Sequence, residues 1–116
     1  MKARFLTILP IISLLTGCMN MPTPPIEITA TYVTPVTYET MTCKQLFITM
    51  NALKEQETNL VFAQTQRIKD SKVQAFWWGT GKGDGIAAPE IAQTKGKIVA
   101  VEKAVKKNNC RQRGKK

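Results

Sequence analysis

The sequence predicts an all-α protein: an antiparallel helical hairpin stapled by a disulfide, following an extended N-terminal tether. Three observations carry this reading. Residues 43–78 and 89–109 place apolar side chains at steps of three and four, the period of one helix face. Between them Gly79, Gly81, Gly83 and Gly85 alternate, which excludes a helix interior and marks a turn. Cys43 and Cys110 stand at the outer ends of the two arms, the ends that an antiparallel hairpin brings together.

The chain begins with the build of an export signal. Lys2 and Arg4 form a positive start, and residues 5–15 are an almost uninterrupted apolar run. That run is about eleven residues, where a spanning helix needs roughly twenty, and Pro10 interrupts it. Residues 1–17 are therefore expected to be removed. Leu15-Thr16-Gly17-Cys18 resembles the lipobox of bacterial lipoproteins: an aliphatic residue, two small residues, then the cysteine. The resemblance implies a diacylglyceryl group on the Cys18 thiol, cleavage in front of Cys18, and acyl chains of the palmitate type holding the mature protein to a membrane. Two or more chains give stable attachment where one gives only marginal binding. Met19 stands where lipoproteins kept at the inner membrane commonly carry Asp, so the resemblance implies the outer membrane, facing the periplasm. The plainer alternative is an ordinary secretory signal that leaves Cys18 as an odd thiol. The tetrapeptide lies directly at the end of the apolar run, which favours the lipid.

Composition bounds the rest. Removing 17 of 116 residues leaves 99, enough for one small domain with a thin core. Lys2 and Arg4 leave with the signal, so 15 basic and 8 acidic residues remain, a net charge of +7 that favours anionic partners. There is no histidine, which removes the commonest general base and metal ligand. Export places Cys43 and Cys110 where thiols are oxidised, and pairing them is the plain reading once Cys18 carries lipid. Two cysteines so far apart in sequence, without companions, do not form a metal-ligand cluster, and no cofactor is implied.

Residues 18–41 form the tether. Pro22, Pro24, Pro25 and Pro35 block helix and favour extended chain. Its middle, residues 26–38, is rich in β-branched side chains and could add as a strand to a partner's sheet edge, although a spacer is the simpler expectation. The hairpin domain covers residues 42–110. Thr42 with Gln45 fits a capping box, and good helix formers follow without proline or glycine to Trp78. Cys43, Leu46, Met50, Leu53, Glu57, Leu60 and Gln64 define the apolar stripe, with Phe47, Val61, Ile68 and Phe76 widening it. Asp70 and Ser71 can cap a fresh helix, so a break is expected near residue 70.

The glycine segment does not match a phosphate-binding loop, because no Gly-Lys-Ser/Thr follows four spacer residues and no apolar strand precedes it. Asp84 alone does not make a calcium loop. A turn is the expectation. Beyond it Pro89 and Glu90 suit a first helical turn, and Ile91, Thr94, Ile98, Val101 and Val105 give the second stripe. Gly96 weakens this helix by about 1 kcal/mol relative to Ala and marks where another backbone can pack closely.

The arms are unequal. Residues 43–78 and 89–110 correspond to about 54 and 33 Å of helix. A straight hairpin leaves the cysteines roughly 20 Å apart, whereas a disulfide needs Cα atoms within about 7 Å. The sequence therefore predicts a bend at Asp70–Ser71, with residues 72–78 folding across the end as a short third helix.

Two regions are candidates for contact. Phe76, Trp77 and Trp78 adjoin the glycine turn, and neighbouring tryptophans on a helix point different ways. The simpler expectation is that both indoles cap the hairpin core. If one is exposed, Trp77, Trp78 and Lys82 could dock a protein partner, a sugar strand or a lipid interface. The C-terminal stretch carries Lys103, Lys106, Lys107, Arg111, Arg113, Lys115 and Lys116 with no acid after Glu102, and residues 111–116 form a basic tail. This field suits anionic polymers such as cell wall, lipopolysaccharide or DNA, although few aromatics interleave with it as a nucleic-acid platform requires. Ser71 and the threonines lack a histidine partner, and the carboxylates show no paired spacing, so neither catalysis nor a small-molecule substrate is expected.

The segment from Cys43 to Cys110 also resembles a group of small proteobacterial envelope lipoproteins, in the bounding cysteines, Gln74-Ala75-Phe76 and Gly83-Asp84-Gly85. That resemblance implies an envelope setting and carries no activity. The functional expectation is a non-enzymatic, lipid-anchored component that contacts another envelope protein within a larger envelope or secretion assembly.

Overall fold

The computed structural model describes residues 20–111. The expected signal peptide, the lipidation of Cys18, and Arg113, Lys115 and Lys116 lie outside these residues. The fold is mostly helical: a 3-10 turn at Pro25–Glu27, then helices α1 (Val36–Glu39), α2 (Cys43–Trp78) and α3 (Ala87–Lys107). No strand occurs among the described residues.

Helix α2 starts as its sequence requires. The Thr42 hydroxyl accepts from the Gln45 N–H at 3.2 Å while the Gln45 side chain accepts from the Thr42 N–H at 2.9 Å, a reciprocal capping box. The α2 and α3 stripes then close on each other. Leu46, Met50 and Leu53 pack against Ile98, Val101 and Ala104, and nearer the turn Leu60 and Val61 meet Ala88 and Ile91. At the open end Cys43 and Cys110 are bonded, with their Cα atoms 5.5 Å apart. The disulfide-stapled antiparallel hairpin is thus present as the sequence predicts.

The expected bend is not. Helix α2 runs through Asp70 and Ser71 without a break over 36 residues, and residues 72–78 form its last turns, not a third helix. The length mismatch is absorbed by the glycine segment, which does not turn tightly but runs back along α2. The Lys82 N–H donates to the Ser71 hydroxyl, the Arg67 guanidinium donates to the Lys82 and Gly83 carbonyls, and Asp84 lies beside Gln64. The six residues 79–84, extended apart from the left-handed Gly79 and Gly83, reach at most about 20 Å. The fourteen helical residues from Trp78 back to Gln64 rise about 21 Å, so the two lengths match. An extended return thus removes the need for a kink.

The stripe changes character along this overhang. Ser71 and Ala75 are buried and continue the spacing from Gln64, while Phe76, expected to widen the core, lies on the solvent side. A glycine strand has no bulk to cover an aromatic ring, and only small side chains fit beneath it. Met50, Leu53, Ile91, Thr94, Ile98 and Val101 are buried as their spacing predicts, whereas Val105 is half-buried.

Residues 20–41 lie along the hairpin as a strap. Thr31 donates its N–H to the Ala92 carbonyl at 2.8 Å, and the Lys95 ammonium donates to the Pro25 and Ile28 carbonyls at 2.7 and 2.9 Å. Ile28 is buried with Ala88 and Ile91. Further on, Asn108 donates to the Glu39 carbonyl and Lys107 pairs with the Glu39 carboxylate at 2.7 Å. Gly96 makes this course possible, because a Cβ there would collide with the Thr31 carbonyl. The expectation that residues 26–38 could add as a strand to another sheet gives way to contact with their own hairpin: residues 36–39 are helical, and the Thr31 N–H is already used.

Candidate functional site

The end of the hairpin opposite the disulfide is where the strap, the glycine return and α2 converge. At its centre is Asp84. Its carboxylate accepts the Thr23 N–H at 2.5 Å, the Thr23 hydroxyl at 2.7 Å and the Gln64 side-chain N–H at 3.0 Å. The Thr23 hydroxyl and N–H hold the Asp84 carboxyl below its ordinary pKa; Gln64 and the Arg67 charge act the same way, while partial desolvation opposes them. Asp84 is therefore ionised at neutral pH and serves as a clasp between strap and return. Gln64 is fully buried and its Nε2 also donates to the Thr23 carbonyl at 3.0 Å, which fixes the orientation of its amide. Its Oε1 has no hydrogen-bond partner among the described residues.

The glycine run is occupied by the chain itself. The Gly83 N–H donates to the Asn20 carbonyl at 2.5 Å, and Gly83 has φ +64, the left-handed region in which a side chain is strained. A Cβ at Gly83 would lie 2.6 Å from the Asn20 amide nitrogen, and one at Gly81 would lie 2.9 Å from the Met21 sulfur. The space a phosphate would need at Gly83 is filled by Asn20. The turn reading of the sequence holds in the sense that the segment is structural, but its form is an extended return.

Beyond the clasp α2 ends in an exposed aromatic tip. Phe76, Trp77 and Trp78 are 81, 72 and 79 % exposed. The expectation that both indoles cap the core therefore fails: the core at this end consists of Ser71 and Ala75, and α3 does not reach it. Phe76 and Trp77 pack edge to face, with ring centroids 5.4 Å apart. Lys82 is exposed beside the tip and its ammonium lies 3.9 Å from Asp70, a surface pair of little energetic weight. Trp77, Trp78 and Lys82 thus share one end of the molecule. Val73 and Phe62 are also exposed, further down the outer side of α2.

Those basic candidates that lie among the described residues sit at the other end, toward the disulfide. Lys103, Lys106 and Arg111 are exposed there. Lys107 is committed to Glu39 and so helps to hold the strap. The sequence does not signal this role, nor that of Lys95, because neither the acceptor carbonyls nor their approach can be read from residue type. Gly96 was the one residue that pointed to a packed backbone.

No protein-family model, curated protein or solved structure matches the chain. No helix among the described residues is long and apolar enough to cross a membrane.

Proposed function

We propose that this protein is a non-enzymatic, lipid-anchored component of the bacterial envelope that acts by contacting another envelope protein within a larger envelope or secretion assembly. The anchor reading rests on Leu15-Thr16-Gly17-Cys18, and Met19 supports the outer membrane. The structural observation that carries the interaction reading is the outer face of α2. Phe62 and Val73 are 65 and 61 % exposed, and eleven residues of helix place them within about 20° of one another, three turns apart. Large apolar side chains on the side of a helix that faces away from its own core offer a surface that a protein partner can cover.

The test is site-specific photo-crosslinking in envelopes. A crosslinker in place of Phe62 should give one discrete adduct with a second protein, and Phe62→Asp should abolish the associated phenotype. Failure to form any adduct at Phe62 or Val73, with Phe62→Asp indistinguishable from the parent, contradicts the reading.

A second reading is favoured by the exposed Lys103, Lys106 and Arg111 at the disulfide end: binding of an anionic polymer, with Arg113, Lys115 and Lys116 extending the same charge. Such binding weakens steeply with salt. Removing residues 111–116 should abolish it, and binding that survives their removal excludes this reading.

A further inference from the structure

We infer that the aromatic tip of α2 seats in the headgroup region of the membrane that holds the lipid anchor, so that Phe76, Trp77 and Trp78 act as a second, non-covalent attachment. The inference rests on the proposed lipidation of Cys18, and it deepens that reading by fixing how the body meets the bilayer.

Thr23 lies at Gln64 and Asp84, whereas Asn20 and Met21 lie at Gly83, Gly81 and Ser71. Read toward its N-terminus, the strap therefore travels along α2 in the direction of Trp78. Ser71 is seven residues from Trp78, about 10 Å of helix. Cys18 is two positions before Asn20, a step of at most about 7 Å. Cys18 therefore lies within about 17 Å of the tip along the helix axis, and a lipid on it enters the bilayer at this end of the molecule, on a strap clasped at Thr23 and at Gly83. The body cannot swing away from the membrane as it could on a free tether.

The chemistry of the tip suits that place. Indole rings combine an apolar body with one N–H donor and favour the membrane–water interface, where both are satisfied. Exposed Lys72 and Lys69 lie one and two turns back from Phe76 on its side of α2, and Lys82, paired with Asp70, lies at the level of Ser71, a basic balance that favours anionic headgroups. A protein partner would also cover the rings, but an anchor at the same end of the molecule puts the bilayer there first.

The chain has two tryptophans, and both are at the tip, so intrinsic fluorescence reports this contact alone. Full-length lipidated protein, extracted from envelopes and checked by intact mass, would be reconstituted into vesicles of phosphatidylethanolamine with a minor fraction of phosphatidylglycerol. Emission should shift to the blue on reconstitution. Lipids brominated near the glycerol backbone should quench it at least twofold more strongly than lipids brominated at the chain ends, and aqueous iodide should lose most of its quenching. If the mass shows lipid on Cys18 and the protein floats with the vesicles, yet emission stays that of water-exposed indole, the inference is overturned and the anchor reading stands. If the tryptophans are iodide-accessible in vesicles but protected in native envelopes, a protein covers the tip and the inference is likewise overturned. If the mass shows an unmodified Cys18, both readings fall together.

Discussion

Two single residues decide whether the strap stays on the hairpin. At Gly96 two effects of a substitution oppose each other. Gly96→Ala should favour α3 by about 1 kcal/mol through helix propensity. The added methyl, however, collides with the Thr31 carbonyl, a backbone atom that cannot rotate aside. The strap must then lift, losing the Thr31–Ala92 bond and weakening both Lys95 contacts, each worth about 1 kcal/mol. We expect Gly96→Ala to leave the melting of the hairpin nearly unchanged while the Thr31 amide exchanges at least roughly tenfold faster, since about 1.4 kcal/mol corresponds to tenfold; unchanged protection at Thr31 would show that the strap is not seated there. Asp84 gives a pH signature at the same scale. Its folded pKa is depressed, so its contribution is present above the unfolded value and is lost as the pH falls through the folded one. The Thr23 amide resonance should therefore titrate below the ordinary aspartate range, and Asp84→Asn should remove that titration.

At the scale of elements, α2 and the glycine return settle the question that the cysteine spacing posed. Capping, the paired stripes and the disulfide were legible because each is a local or periodic signal: Thr42 with Gln45, Leu46 to Gln64, Ile91 to Val101, and two cysteines at matching ends. The course of the return was not, because alternate glycines are compatible with either a tight turn or an extended strand, and the choice depends on Ser71, Arg67 and Gln64 supplying partners along α2. The exposure of Phe76 followed from the same gap, since the extent of α3 decides what can be covered. An uninterrupted α2 makes a clear forecast. Asp70→Pro should destabilise the protein by about 3 kcal/mol or more, because it lies in a helix interior, whereas a helix starting at that position would accept proline. A chemical-denaturation midpoint unaffected by Asp70→Pro would restore the bend.

At the scale of the whole molecule, the chain is a rod with different chemistry at its two ends. The strap entry, the clasp and the aromatic tip share one end, and the disulfide with Lys103, Lys106 and Arg111 occupies the other, separated by about 32 Å of helix at the clasp and about 52 Å at the tip. Under the proposed anchor at Cys18, the basic end would point away from the membrane. The disulfide, closing a loop of 67 positions, should stabilise this thin core by about 4 kcal/mol, so Cys43→Ser with Cys110→Ser should melt well below the parent in the absence of reductant and at the same temperature as the reduced parent. The most direct test is the intact mass of the protein extracted from envelopes without reductant. The account predicts a chain that begins at Cys18, carries diacylglyceryl and acyl groups on that residue, and lacks the two hydrogens lost in forming Cys43–Cys110. A chain that retains residues 1–17, or one with a bare Cys18, would contradict it.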